Sequence, residues 1–435
     1  MLRVDLAIAA RNLAAHTRRN LFLGGALAAV TGLLVLLGAL TGGMEASMME
    51  SATTLLTGHV NVGGFFKVPS ASSAPLVSGY PKVLEEVRRR VPELDYATER
   101  GRGWAKAVSE STSMDLVLGG VDVRAEPAFP RVLRVVEGRL EDLARPGTVL
   151  LFEGQAERLK VRVNDVITLS APTDRGVNNT ADVRVAAIAR NVGLLSAFSA
   201  FIQADTLRQL YGLNASTTGA IHLYLKDPRA AGDVASRLRV ALAEAGWRVM
   251  EPEAQPYWMK LMQTVPSEDW TGQKLDVTTA DDEMGQFKQF ILALRVVTGL
   301  LVVILMAVVV IGILNTLAIA IRERTREIGT LRAIGMQRGK VRWLILLETA
   351  LLGLGGSAAG ALAGAGVAVA INAAGIALPE AAQIFLASER LTFLLDPATI
   401  ARDVLFLSAV TVAASWFPAR RAARLRPVTA MHQVG

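Results

Sequence analysis

Four stretches of the chain carry no charged side chain: residues 21–44, 296–321, 349–378 and 404–417. A helix crosses the hydrocarbon core of a bilayer in about 20 apolar residues. The first three stretches are long enough alone; the fourth spans only by recruiting residues 398–401. The pattern predicts an α-helical membrane protein with four transmembrane helices, at 21–44, 286–321, 343–378 and 401–417. The first is read as an uncleaved helix, because signal-peptide cores are about 7–15 residues long and no small-x-small cleavage site closes this one.

Between the first two helices the pattern changes. Alternation predicts strands at 59–62, 114–118, 147–152, 165–169, 182–187 and 221–225. Helical spacing predicts helices at 80–91, 155–159 and 230–245. Residues 45–285 therefore read as a large α+β extracytoplasmic domain between helices one and two, in two subdomains. Met44, Met48, Met49 and Leu55, and on the other side Met284, Phe287, Phe290, Ile291 and Leu294, keep helical spacing. Both helices are expected to continue outward as stalks. The polar stretch 170–180 (SAPTDRGVNNT) reads as an exposed hairpin tip, either an ordinary turn or a partner loop built on Pro172, Thr173, Asp174, Arg175 and Gly176. Residues 1–20 repeat Leu2, Leu6, Ala9 and Leu13 at helical spacing and predict an amphipathic helix lying on the inner leaflet.

The net charge of +7 is segregated. Residues 1–20 carry +3, residues 322–342 carry +5, and residues 418–435 carry +4, whereas 45–285 carry 27 basic and 31 acidic side chains. Basic segments flanking apolar helices mark the cytoplasmic side. With four helices the three basic segments must share one side, so both termini are expected inside and 45–285 outside, joined by a short outer loop at 379–400. A nucleic-acid binder would gather its charge on one folded face; none is expected here. The chain has no cysteine, and His16, His59, His222 and His432 are widely scattered, so neither a thiolate nor a zinc site is expected.

No Walker A sequence is present. GMQRGKV at 335–341 has short glycine spacing, and Val341 stands where the magnesium-holding Ser/Thr would be. With no nucleophile elbow and no HExxH, the chain reads as non-catalytic. Helix three holds Gly356, Gly360 and Gly364, a tandem small-residue repeat that lets helices approach closely, expected to face helix two or a partner subunit. Glu348, inside the same helix, should pair with Arg342 or with an arginine of the preceding loop. Arg295 is expected to snorkel at the outer edge of helix two.

That loop, 322–335, reads RERTREIGTLRAIG. Ile328, Leu331 and Ile334 recur at helical spacing among charges, which describes a short helix just inside the membrane. The stretch resembles the signature of ABC-transporter permeases of the MacB/LolC/FtsX superfamily. The ending PARRAARLRPVTAM (418–431) is similar to that family's ending, with Arg426 where an acid is common. GMEASMME (43–50) with GHVNV (58–62) resembles the segment after helix one in lipoprotein-releasing LolC/LolE permeases. The segment 147–169 resembles an outer-domain pattern of the family, with Asn164 where glycine is usual.

The resemblance implies a permease subunit in the bacterial inner membrane that dimerises with a second copy or a homologue and recruits a separate cytoplasmic ABC ATPase. ATP and magnesium would be bound by that partner, and no cofactor or metal by this chain. Arg326, Glu327, Ile328, Gly329, Leu331, Arg332, Ile334 and Gly335 would form the coupling helix, with its apolar stripe in the ATPase cleft. Lipoprotein release toward a periplasmic carrier is the expected work. FtsX-like mechanotransmission to a periplasmic partner and MacB-like efflux with an adaptor are the alternatives.

Overall fold

The computed structural model describes residues 2–15, 17–68, 73–173, 177–378 and 390–424. These divide into two compact units. One is built from Met1–Glu45, Ile291–Ala377 and the chain from Arg390 onward; the other is built from Ala46–Phe290.

The first unit is helical. Among the described residues four helices are long and apolar enough to cross a membrane. They belong to helices Thr17–Ala52, Gly285–Glu323, Arg338–Ala374 and Pro397–Ala423. The fourth is longer than its apolar run for a local reason. Asp396 caps its start by accepting from the Ala398 and Thr399 N–H groups, and Pro397 takes the first helical position, where its missing N–H costs nothing. The amphipathic segment at the N-terminus is a helix, Leu2–Ala15, packed against the third apolar helix. Its Ala9 is fully buried and its Asp5 lies 3.9 Å from Lys340. Leu23, Leu27, Ile313 and Leu407 bring the first, second and fourth apolar helices into one core.

The second unit is α+β. Its strands are β1 (Val60–Lys67), β2 (Ser73–Ala74), β3 (Val77–Ser78), β4 (Leu94–Val108), β5 (Ser113–Val121), β6 (Val135–Gly138), β7 (Thr148–Phe152), β8 (Val166–Pro172), β9 (Asn178–Ala189), β10 (Ser199–Gln203), β11 (Thr217–Thr218), β12 (Ala220–Leu225) and β13 (Gly272–Thr279). The main sheet runs β13-β1-β12-β4-β5-β10-β7-β9-β6, with β2 on β1 and β8 bridging β4 and β9. Strand β4 does most to shape it. Residues 94–100 pair with β12, and residues 101–108 pair with β5.

Two cores form along this strand. Val60, Val62, Ile221 and Leu223 pack under helices Tyr80–Arg90 and Ala231–Glu244 through Val83, Val87 and Leu238. Leu116, Leu151, Ile167 and Val185 pack under helices Glu153–Leu159 and Ala204–Tyr211 through Leu159 and Leu207. Strand β4 contributes to both, through Leu94 and Ala97 to the first and Ala105 and Ala107 to the second. Asn164 has φ of 77°, in the left-handed region. This explains the asparagine where the family pattern has glycine: both tolerate that conformation.

Candidate coupling site

The charged loop after the second apolar helix folds as a short helix, Thr325–Ala333. Gly335, with φ of 101°, lets the chain turn into the third apolar helix. The expected apolar stripe does not lie on one face. Ile328 is 8% exposed and packs against Val341, Ala422 and Ala423. Leu331 is 39% exposed and Ile334 80%. The reason is angular. At 3.6 residues per turn, a three-residue step falls short of a full turn by about 60°, so Ile328 and Ile334 point about 120° apart. Ile328 therefore anchors the helix to its own chain, and the apolar surface left exposed is Leu331 with Ile334, flanked by the exposed Arg326 and Glu327. Gly329 is buried beside Ile328, and Arg332 donates to the Ala423 carbonyl at 2.8 Å.

Glu348 finds its partner in this loop. Arg324 Nη1 lies 3.3 Å from both Glu348 oxygens, while its Nε reaches Glu327 at 3.1 Å. One guanidinium thus ties the short helix to the third apolar helix. Arg342, the other candidate, lies over the Trp416 ring at 4.8 Å. Arg295 pairs with Glu45 rather than snorkelling alone.

The glycine repeat packs on the first apolar helix, a correction to the expectation of helix two or a partner subunit. A Cβ on Gly356 would meet the Gly24 carbonyl oxygen at 3.0 Å, one on Gly360 would strike Ala28, and one on Gly364 would meet the Gly32 oxygen at 2.6 Å. The first helix answers with small residues at the same four-residue spacing, Gly24, Ala28 and Gly32. The second apolar helix has bulky residues along its length (Val303, Ile304, Val308, Ile311) and cannot approach as closely. The matching small residues, Gly24, Ala28 and Gly32, are legible in the sequence itself.

The hairpin reaches further than expected. β8 and β9 stay paired to Pro172 opposite Asn178, and the Thr173 N–H bonds the Val177 carbonyl at 2.9 Å. Asp174, Arg175 and Gly176 lie outside the described residues.

A second set of residues was missed. The first apolar helix ends in a π-type turn, Thr53–Thr57. Arg100 on β4 donates to the Leu55 carbonyl at 2.8 Å and to Glu126 at 2.5 Å, with side chains 3% and 0% exposed. Its guanidinium also lies 4.9 Å from the Phe129 ring. Burial raises the Glu126 carboxyl pKa, and Arg100 opposes that rise. The Tyr224 hydroxyl donates to the Thr54 carbonyl at 3.2 Å, and burial raises its pKa. Nearby, Glu283 accepts from Thr278 Oγ1 at 2.9 Å and from the Tyr257 N–H at 3.0 Å. Burial raises its pKa against the pull of Arg102. The available signal was phase: Thr98, Arg100 and Arg102 alternate on the inward face of β4. Among the described residues no cluster of His, Asp or Glu could hold a metal.

Two family models match. Residues 25–241 match the MacB-like periplasmic core domain, and residues 299–427 match the FtsX-like permease C-terminal domain. The ABC transporter permease YtrF of Bacillus subtilis is 31% identical over 38% of this chain and 38% of its own length. The macrolide export ATP-binding/permease protein MacB of Chromobacterium violaceum is 32% identical over 32% of this chain and 20% of its own. The chain thus spans well under half the length of these curated relatives. The solved periplasmic region of MacB from Actinobacillus actinomycetemcomitans covers 54% of this chain and is itself covered to 92%, at 11% identity and a TM-score of 0.29, too low to carry weight. The two family matches, one to each half of the chain, and the four apolar helices agree: the chain belongs to the MacB/LolC/FtsX superfamily of ABC-transporter permeases and is a membrane protein.

Proposed function

We propose that this protein is a non-catalytic permease subunit that receives force from a separate ABC ATPase through helix Thr325–Ala333. The observation that carries the reading is the two-sided character of that helix. Its back is fixed by Ile328, Arg332 and Arg324, and its front offers Leu331 and Ile334 to a partner. Burying two aliphatic side chains contributes roughly 1.5–3 kcal/mol each, and a fixed back passes a push on to the third and fourth apolar helices. The segregated charge supports both termini and this helix in the cytoplasm, with the α+β region after helix one outside. ATP and magnesium belong to the ATPase, and a second permease copy or a homologue completes the assembly.

For the work itself we propose release of lipoproteins from the bacterial inner membrane toward a periplasmic carrier, supported by the LolC/LolE-like segment after helix one. The macrolide-export relatives favour efflux through an adaptor as a second reading. Purifying the permease with its ATPase and identifying what co-purifies tests the choice: acylated proteins support the first, and an adaptor without acylated proteins overturns it. Reporter fusions at Ser170 and Gly335 test the orientation, and a cytoplasmic signal at Ser170 would sink it.

A further inference from the structure

Between the third and fourth apolar helices lies an open groove of about 600 Å³. Its walls are Ala350, Leu354, Ser408, Ala409, Val412 and Ala413, and Trp416 closes one end. The groove exists because small side chains meet where the two helices pack. The one hydroxyl among them is satisfied within its own helix, Ser408 Oγ donating to the Val404 carbonyl at 2.7 Å. The trough is therefore apolar throughout.

Its Trp416 end is cationic. The Arg342 guanidinium lies over the Trp416 ring at 4.8 Å, Arg420 follows one turn later on the same helix, and Arg421 lies over Phe417 at 4.7 Å. No acidic residue occurs in 338–347 or 404–424. Trp343, Trp416 and Phe417 are exposed at this same end, the pattern of side chains at a lipid headgroup boundary.

We propose that this groove binds an anionic phospholipid, with an acyl chain along the alanine-lined trough and the phosphate held by Arg342 and Arg420. Arginine matches a phosphate through paired N–H donors, and basic pockets between transmembrane helices suit anionic headgroups. A second copy docked symmetrically would bring the same arginines face to face, which disfavours a protein occupant. The site depends on the membrane assignment alone, so its test needs no ATPase.

The test is native mass spectrometry of the full-length permease in mild detergent, with phosphatidylglycerol or phosphatidylcholine of identical chains. The expected result is preferential retention of phosphatidylglycerol. Arg342→Gln and Arg420→Gln should each weaken it about fivefold. Ala413→Leu, which fills the trough, should reduce retention of the lipid while the arginines stay in place. Millimolar inorganic phosphate should not compete. Unchanged retention in the arginine variants and in Ala413→Leu overturns the proposal, as does displacement by inorganic phosphate alone. The chain has no cysteine, so Ala413→Cys gives a clean single probe, and its efficient cross-linking to a second permease copy would likewise overturn a lipid occupant.

Discussion

Gly360→Ala tests the seam between the first and third apolar helices most directly. A Cβ at this position would stand 2.6 Å from the Ala28 Cα and 2.7 Å from its carbonyl carbon. These are backbone atoms and cannot rotate away. Ordinary contact between carbon atoms begins near 3.5 Å, so the helices must part by roughly 0.9 Å, and a gap of that size forfeits a quarter to a half of the dispersion energy of each pair it opens. Overpacking of this kind costs about 1–3 kcal/mol. For a unit of this size that lowers the melting midpoint by about 2–12 °C. The control is Gly366→Ala, six residues along the same helix, where a Cβ meets nothing within 4 Å. The measurement is the midpoint of thermal aggregation of the detergent-solubilised chain, read by size exclusion after heating. Membrane insertion should be normal in both variants. If Gly360→Ala melts with the wild type and with Gly366→Ala, the two backbones are not in contact and the seam is refuted.

Three further outcomes follow from the site. Leu331→Asp should abolish ATPase pull-down without changing the permease's own melting, Ile328→Asp should destabilise the permease itself, and Arg326→Ala should do little because its charge is solvent-screened; ATPase binding retained by Leu331→Asp would remove the coupling role. Glu348→Ala leaves Arg324 partly buried without its main partner and should cost ~1–3 kcal/mol, whereas Arg324→Met with Glu348→Met should recover most of that loss; equal melting of the single and double variants would deny the coupling. Glu283 has its pKa raised by burial, so the folded unit keeps that proton to higher pH than the unfolded chain. Its contribution is full below the ordinary carboxylate value and declines as pH rises through the raised one. Melting of Glu283→Gln relative to wild type should therefore improve from pH 5 to pH 9, and a pH-independent difference would contradict the assignment.

The membrane helices were legible because they depend on composition summed over many residues. The strands were legible where alternation was regular, and most begin or end within a few residues of where the pattern placed them. What could not be read was partner choice. Nothing in 356–364 says which helix its glycines face; that information sits more than 320 residues earlier, in Gly24, Ala28 and Gly32. Arg100 was obscure for a related reason. Its chemistry depends on being inward in a strand, and the compensating acid, Glu126, lies in an irregular segment whose direction no periodicity fixes. The coupling stripe misled because Ile328, Leu331 and Ile334 satisfy helical spacing locally, while a nine-residue helix cannot keep residues six apart on one face.

The divided face of this helix suits the proposed coupling role. A helix with its whole apolar stripe free would be held to its own chain only by its two ends, and a push from a partner would tilt it. With Ile328 buried, Arg332 on the Ala423 carbonyl and Arg324 on Glu348, the helix is attached at three points to the third and fourth apolar helices. The third is in turn locked to the first along the glycine seam. The series combines an apolar contact at Ile328, a partly buried ion pair, a hydrogen bond to a carbonyl and a seam of backbone contacts. Under the proposed coupling role, a push on Leu331 and Ile334 therefore meets the third and fourth apolar helices rather than a loose tether.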